Sequence, residues 1–240
     1  MTDSRSPALR TGRELLDALA ELGPRPALTW FGADGRTELS GRVLGNWVIK
    51  AANHLADEIA LSRGDALVLD LPPHWKRLVL ALAGWTTGAE VRVLDRDPAT
   101  ASTAPVPPAD VAGMLIVATD RPGTELADAA EELLVLDAVS LALRASMPLP
   151  PLAHDWAQEV RGAGDVLTLA PGPWSGPVAA PATADDEGAE VLIGSDGADG
   201  SSDASAMLGA WLRGARVLGP VAAIDDATRA AEGIGPDRPA

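Results

Sequence analysis

The chain has no cysteine, no tyrosine, one phenylalanine and only two lysines, Lys50 and Lys76, in 240 residues. Without cysteine there is no disulfide framework, no thiol nucleophile and no thiolate metal ligand. Positive charge is scarce as well: Lys and Arg total 19 against 34 Asp and Glu, for a formal charge of −15. That potential repels phosphodiester backbones and anionic lipid, so nucleic acid and membrane surfaces are excluded as partners. No apolar run approaches the ~18–20 residues of a membrane span. The opening MTDSRSPALRTGRELL lacks the apolar core of a signal peptide. A soluble, cytoplasmic protein is expected.

What is present is apolar enough to fold. Hydrophobic residues make up 47% of the chain, an ordinary globular share, and the length suits one large α/β domain or two small ones. Leu15, Leu16, Leu19 and Leu22 recur at helical spacing before Gly23-Pro24. ALTWF (27–31) reads as a strand, Asp34-Gly35 as a hairpin signal, and RTEL (36–39) as the return strand. Ser40 is placed to cap a long helix to about residue 60. ALVLDL (66–71) has the length and continuous apolarity of a strand buried on both faces of a parallel sheet. A helix over 74–87 follows, ended by Gly88, and then the strand EVRVL (90–94), which completes a βαβ unit.

LIVAT and ELLVLD, flanking a helical stretch near 124–131, repeat the alternation after a Pro/Ala loop at 97–110. Later strands are expected at 165–169, 190–193 and in ARVLG, with helices at AHDWAQEVRG and 204–214. The expected fold class is therefore α/β: one layered domain over residues 1–220, with a mostly parallel sheet and flanking helices. A subdomain break falls near 147–152 (MPLPPL), and a frayed tail is expected over 221–240. Trp47, Trp75, Trp85 and Trp211 occupy apolar-periodic helical positions and read as core anchors.

Residues 27–97 resemble the opening of the AMP-forming acyl-CoA synthetase and adenylation-domain superfamily. LTWFGADGRTELS is similar to that family's hairpin and helix start, AANHLA to its Leu-Ala-x-x-Leu helix, and SRGDALVLDLPPHW to its Gly-Asp, strand and Leu-Pro-Asn run. LALAGWTTGAEVRVLD is similar to its Ala-x-x-x-Gly-Ala-x-x-x-Pro-Leu segment; Pro73 stands where the family has Asn. The resemblance implies the first half of the synthetase large domain, as a short, truncated, actinobacterial-type member.

The family's phosphate loop is rich in Ser, Thr and Gly and ends Pro-Lys-Gly; its hydroxyls, amides and lysine hold the phosphates of ATP. The corresponding stretch here, APGPWSGPVA (170–179), keeps Gly172, Ser175 and Gly176, with Trp174 between them, but lacks the threonines and the lysine. Pro171, Pro173 and Pro177 supply no N–H. Losing the lysine and two or three further donors removes ~5–8 kcal/mol, roughly four to six orders of magnitude in affinity. Gly172, Trp174, Ser175 and Gly176 are therefore expected to be a vestigial phosphate loop.

The family's aromatic-Gly-x-Thr-Glu and Thr-Gly-Asp motifs are absent too. The expected function is that of a noncatalytic relative with no catalytic residues and no cofactor, binding a protein partner or a small acyl ligand. A homodimer is one way to cover an exposed sheet edge. The alternative is a diverged carboxylate-CoA ligase using ATP and Mg²⁺, completed by a partner chain.

Other clusters read as structural. His54, Asp57 and Glu58 share a helix face at metal-ligand spacing, but in so acidic a chain they read as a solvated face, and no metal site is expected. His74 and His154 have no partner at useful spacing, and His154-Asp155 reads as a helix-capping region. GSDGADGSSD (194–203) lacks the alternating oxygen ligands and late glutamate of a calcium loop and reads as a flexible surface loop.

Overall fold

The computed structural model describes residues 9–94, 111, 113–170, 172–181 and 190–234. Helix α1 (Gly12–Leu22) buries the leucines that announced it and packs on helices α2 (Gly41–Asp57) and α6 (Ser202–Leu212). Strands β1 (Pro26–Gly32) and β2 (Gly35–Ser40) form the expected hairpin. Its turn is Ala33-Asp34, one residue earlier than the sequence signal, because Gly32 pairs with Gly35. Gly35 follows the turn at φ 106°, a conformation open to glycine. Ser40 Oγ accepts the Val43 N–H at 3.2 Å and starts α2.

The βαβ unit is strand β3 (Ala66–Asp70), helix α3 (Trp75–Thr87) and strand β4 (Glu90–Val93), closed by Gly88 at φ 84°. Strand β5 (Leu115–Thr119), helix α4 (Glu125–Asp128) and strand β6 (Glu132–Val135) repeat it. A two-residue strand β7 (His154–Asp155) leads into the single turn α5 (Trp156–Glu159). Strands β8 (Val191–Leu192) and β9 (Val217–Gly219) flank α6, and a 3-10 turn at Val221–Ala223 precedes helix α7 (Asp226–Glu232).

Two sheets result, with orders β2-β1-β9-β8 and β4-β3-β5-β6-β7; every pairing except β1 with β2 is parallel. The expected double burial is visible in β3: Leu67 and Leu69 enter the main core, while Val68 faces a second cluster with Leu115, Val117 and Leu126. A side-chain period of two on a sheet covered on both faces produces that division. Helix α3 is buried all round, so Lys76 and Arg77, on its first turn, are buried too. Trp75, Trp85 and Trp211 are core residues, whereas Trp47 is half-buried, with its ring stacked 6.1 Å from that of Trp156. Among the described residues no helix is long and apolar enough to cross a membrane.

Three expectations are corrected. Residues 165–169 form no strand, because their backbone groups bond to side chains of α2 instead. The Asn53 amide donates to Gly164 O and Val166 O (3.0 and 2.8 Å) and accepts the Thr168 N–H at 3.1 Å. Residues 221–234 do not fray. Asp225 caps α7 at the Thr228 N–H, Glu232 pairs with Arg36 and Arg216, and Ile224 and Ile234 close over Phe31 and Leu218.

The loop over 194–203 is anchored. Asp196 is wholly buried and forms two 2.7 Å bonds with the Arg77 guanidinium, whose Nη1 also donates to Leu71 O. Gly197 sits beside it at φ 64°, where a Cβ would lie 2.4 Å from Met207 Cε. The expected loop at 97–110, Pro171 and the end of the tail at 235–240 lie outside the described residues.

Candidate functional site

Gly172, Trp174, Ser175 and Gly176 do come together, at the C-terminal end of α3. Pro173 bridges Thr11, and the Trp174 N–H donates to Arg10 O at 2.8 Å. The Ser175 N–H approaches Trp85 O at 3.4 Å, and its hydroxyl donates to Ala89 O at 2.7 Å. The Trp174 indole N–H donates to Pro177 O at 2.9 Å, and its ring meets Trp85 edge-on, 5.7 Å away. Gly172 is packed against Thr87 O, and a Cβ on Gly176 would come within 2.6–2.7 Å of the Trp174 and Trp85 rings. The segment thus serves as a lid on the last carbonyls of a helix. That end carries the negative pole of the helix dipole, the opposite of what a phosphate favours.

Both lysines are engaged elsewhere. Lys50 Nζ donates to Arg161 O and Ala163 O, clamping the segment after α5 to α2. Lys76 Nζ donates to Asp137 O and Ala142 O at 3.3 and 3.4 Å. Burial pulls its ammonium down to about 8, against the opposing pull of Asp137, Asp34 and Asp155. Burial, with the Lys76 charge beside it, lowers His74 to about 4. A neutral His74 fits its role, since Nδ1 accepts the Lys76 N–H as the N-cap of α3.

The C-terminal ends of the parallel strands, where open α/β sheets place ligands, carry a polar cluster. Asp70 ends β3 beside Thr119, which ends β5; the Thr119 hydroxyl donates to Asp70 Oδ2 at 2.9 Å, and Arg121 Nη2 to Oδ1 at 2.7 Å. Beyond them a cavity of 570 Å³ is lined by Pro72, Asp120, Asp137, Val139 and Ser146, among others. Its lining is anionic and apolar rather than donor-rich. An Asp or Thr closing each apolar strand run is the one trace of this cluster in the sequence.

The expected solvated face of His54, Asp57 and Glu58 is corrected. His54 is 1% exposed, and its nearest polar partner is Glu159, 105 residues away. Asp57 instead meets the Thr168 hydroxyl. Nor is His154 unpartnered: it contacts both Glu159 and Glu132. Asp155 does cap, its carboxylate accepting the Gln158 N–H at 3.1 Å.

No protein-family model matches the chain. The N-terminal domain of FACL13 from Mycobacterium tuberculosis superposes with a TM-score of 0.62 at 11% identity, covering 93% of this chain and 60% of that one. The fold is that of the N-terminal domain of an acyl-CoA synthetase. A Mycobacterium tuberculosis fatty acyl CoA synthetase (TM-score 0.61, 11% identity, 93% of this chain, 47% of that one) shares this synthetase fold. So does the Brucella canis acyl-CoA synthetase (0.58, 15% identity, 89% and 43%). The chain therefore spans about half the length of these synthetases. In sequence, a protein of Mycobacterium tuberculosis is 35% identical over 88 residues, which is 35% of this chain and 36% of that protein.

Proposed function

We propose that this chain is a noncatalytic acyl-CoA synthetase-like protein that keeps the scaffold and binds a protein partner or a small acyl ligand. One observation carries the reading: in the segment that the sequence resemblance sets at the phosphate loop, the Trp174 and Ser175 amides and the Ser175 hydroxyl already donate to main-chain carbonyls. A triphosphate arriving there would meet carbonyl oxygens in a chain of charge −15. The exposed apolar side chains of Val139, Leu141, Leu143, Leu149 and Leu152 support an interaction role. A second copy of the chain is one candidate partner.

Calorimetric titration with Mg·ATP, together with pyrophosphate exchange over a panel of carboxylic acids, tests the reading. The expected result is no saturable heat and no exchange; a dissociation constant tighter than about 100 μM, or measurable exchange, overturns it. The second reading is a carboxylate-activating ligase completed by another polypeptide. It draws support from the synthetase fold of the structural neighbours, and nucleotide binding in the same titration would favour it.

A further inference from the structure

Four side chains from four separate elements converge on one spot: His54 in α2, Glu132 at the start of β6, His154 at the start of β7 and Glu159 at the end of α5. Glu159 Oε2 lies 3.1 Å from His54 Nε2 and 2.8 Å from His154 Nδ1. His154 Nε2 lies 3.2 Å from a Glu132 oxygen, and the Asp155 N–H donates to the other Glu159 oxygen at 3.1 Å. The ligand atoms of His54, His154 and Glu159 all fall within 4.8 Å of one another. None of these residues belongs to the loop or the sheet-end cluster described above.

The hydrogen count is short by one. Three nitrogen-to-carboxylate contacts each call for an N–H, but two neutral imidazoles carry only two between them. A cation at the centre of the cluster would replace the hydrogens directed at Glu159 and bring two ring lone pairs and the carboxylate to one point.

We propose that His54 Nε2, His154 Nδ1 and Glu159 Oε2 form a three-ligand site for a late first-row divalent cation of the zinc class. Two imidazoles and a carboxylate are a zinc donor set, whereas Ca²⁺ and Mg²⁺ call for oxygens. Zinc bonds of about 2.0–2.1 Å set neighbouring ligand atoms about 3.3–3.4 Å apart in a tetrahedron; the two contacts to Glu159, at 3.1 and 2.8 Å, would open by about half an ångström or less, and the two ring nitrogens, within 4.8 Å of each other, would settle to that spacing. With the cation on Nδ1, His154 keeps its hydrogen on Nε2 and donates it to Glu132, which fixes the tautomer and ring orientation. Among the described residues Nδ1 of His54 has no hydrogen-bond partner, which leaves Nε2 as the nitrogen turned toward the cluster.

Access is provided by a 340 Å³ cavity lined by His54, Glu58, Glu159, Gly162 and Ala163. It leaves room for a fourth ligand such as water, and the Glu58 carboxylate adds negative charge beside the site.

The test uses the full chain without a polyhistidine tag, stripped with chelator and titrated with ZnCl₂ by calorimetry. CoCl₂ serves in parallel to report coordination by visible absorption. The expected result is one equivalent bound, a four-coordinate cobalt spectrum, and a rise in Tm of about 5–10 °C at a hundredfold excess over Kd. Glu132→Gln should weaken binding about 10–100-fold while leaving the stoichiometry unchanged. Glu159→Gln, isosteric and on a partly exposed side chain, should weaken it further. Binding well below one equivalent, or affinity unchanged in both Glu159→Gln and His154→Ala, overturns the proposal. If His154→Ala does not fold, the two isosteric variants decide it. The nucleotide titration has no bearing on this result, so the two proposals fail separately.

Discussion

At the scale of single residues, the interior holds more charge than its composition suggests, and each charge has a stated cause. Arg77 and Asp196 form a bidentate pair with side chains 6% and 0% exposed. Removing one partner strands the other in the core, so Asp196→Ala should cost about 3–5 kcal/mol in urea denaturation. Replacing both, as Arg77→Met with Asp196→Leu, should cost clearly less than the single change. His74 gives a pH signature. Its folded value of about 4 lies below that of an unfolded histidine, so the unfolded chain takes up a proton first. Stability present above about pH 6.5 is lost as pH falls from about 6.5 toward 4, by up to ~3 kcal/mol. His54 shifts in the same direction and adds to the slope. His74→Asn keeps a capping side chain and should flatten the His74 share of that loss, which denaturation at pH values across the window would show.

Secondary-structure elements were legible where side chains alone decide the backbone. The leucine spacing of α1, the Ser40 cap, the double-faced burial of β3 and the Gly88 terminus all follow from local chemistry. Residues 165–169 defeated the same reasoning, because VLTL has the apolarity of a strand while its partner is a side chain of α2. Asn53→Ala should therefore cost about 1–3 kcal/mol, since it removes three hydrogen bonds that hold this largely exposed segment to α2. It should also sharply raise hydrogen exchange at the Thr168 amide, which Asn53 Oδ1 protects. The two-residue strand β7 carries no periodicity to read, its extended geometry being imposed by β6, whereas β8 lies within the strand expected at 190–193.

For the whole molecule, the question is which end of which element each candidate site occupies. Four residues of the expected phosphate loop are adjacent in sequence and stay adjacent in space, so their grouping was readable. Their seat on the negative end of α3 was not, because the Arg10 backbone just ahead of α1 and Trp85 of α3 place it there. The His54 cluster was hidden for the opposite reason. Its members are separated by up to 105 residues, and only the approach of His54 on α2 to β7 and α5 joins them. In sequence His54 stands next to Asp57 and Glu58, and that local spacing pointed to the wrong partners.

By itself the sequence determined the α/β class, the βαβ alternation, the exclusion of thiol chemistry and the absence of lysine from APGPWSGPVA (170–179). Each of these depends on composition or on contacts within a few turns of chain. Tertiary structure alone decided that Asp196 is a buried anchor, that the amides near Trp174 are already bonded, and that two histidines share one carboxylate. Those outcomes depend on which distant groups are brought within hydrogen-bond reach. No local pattern encodes that distance, because burial and long-range pairing arise only when the layers close on one another.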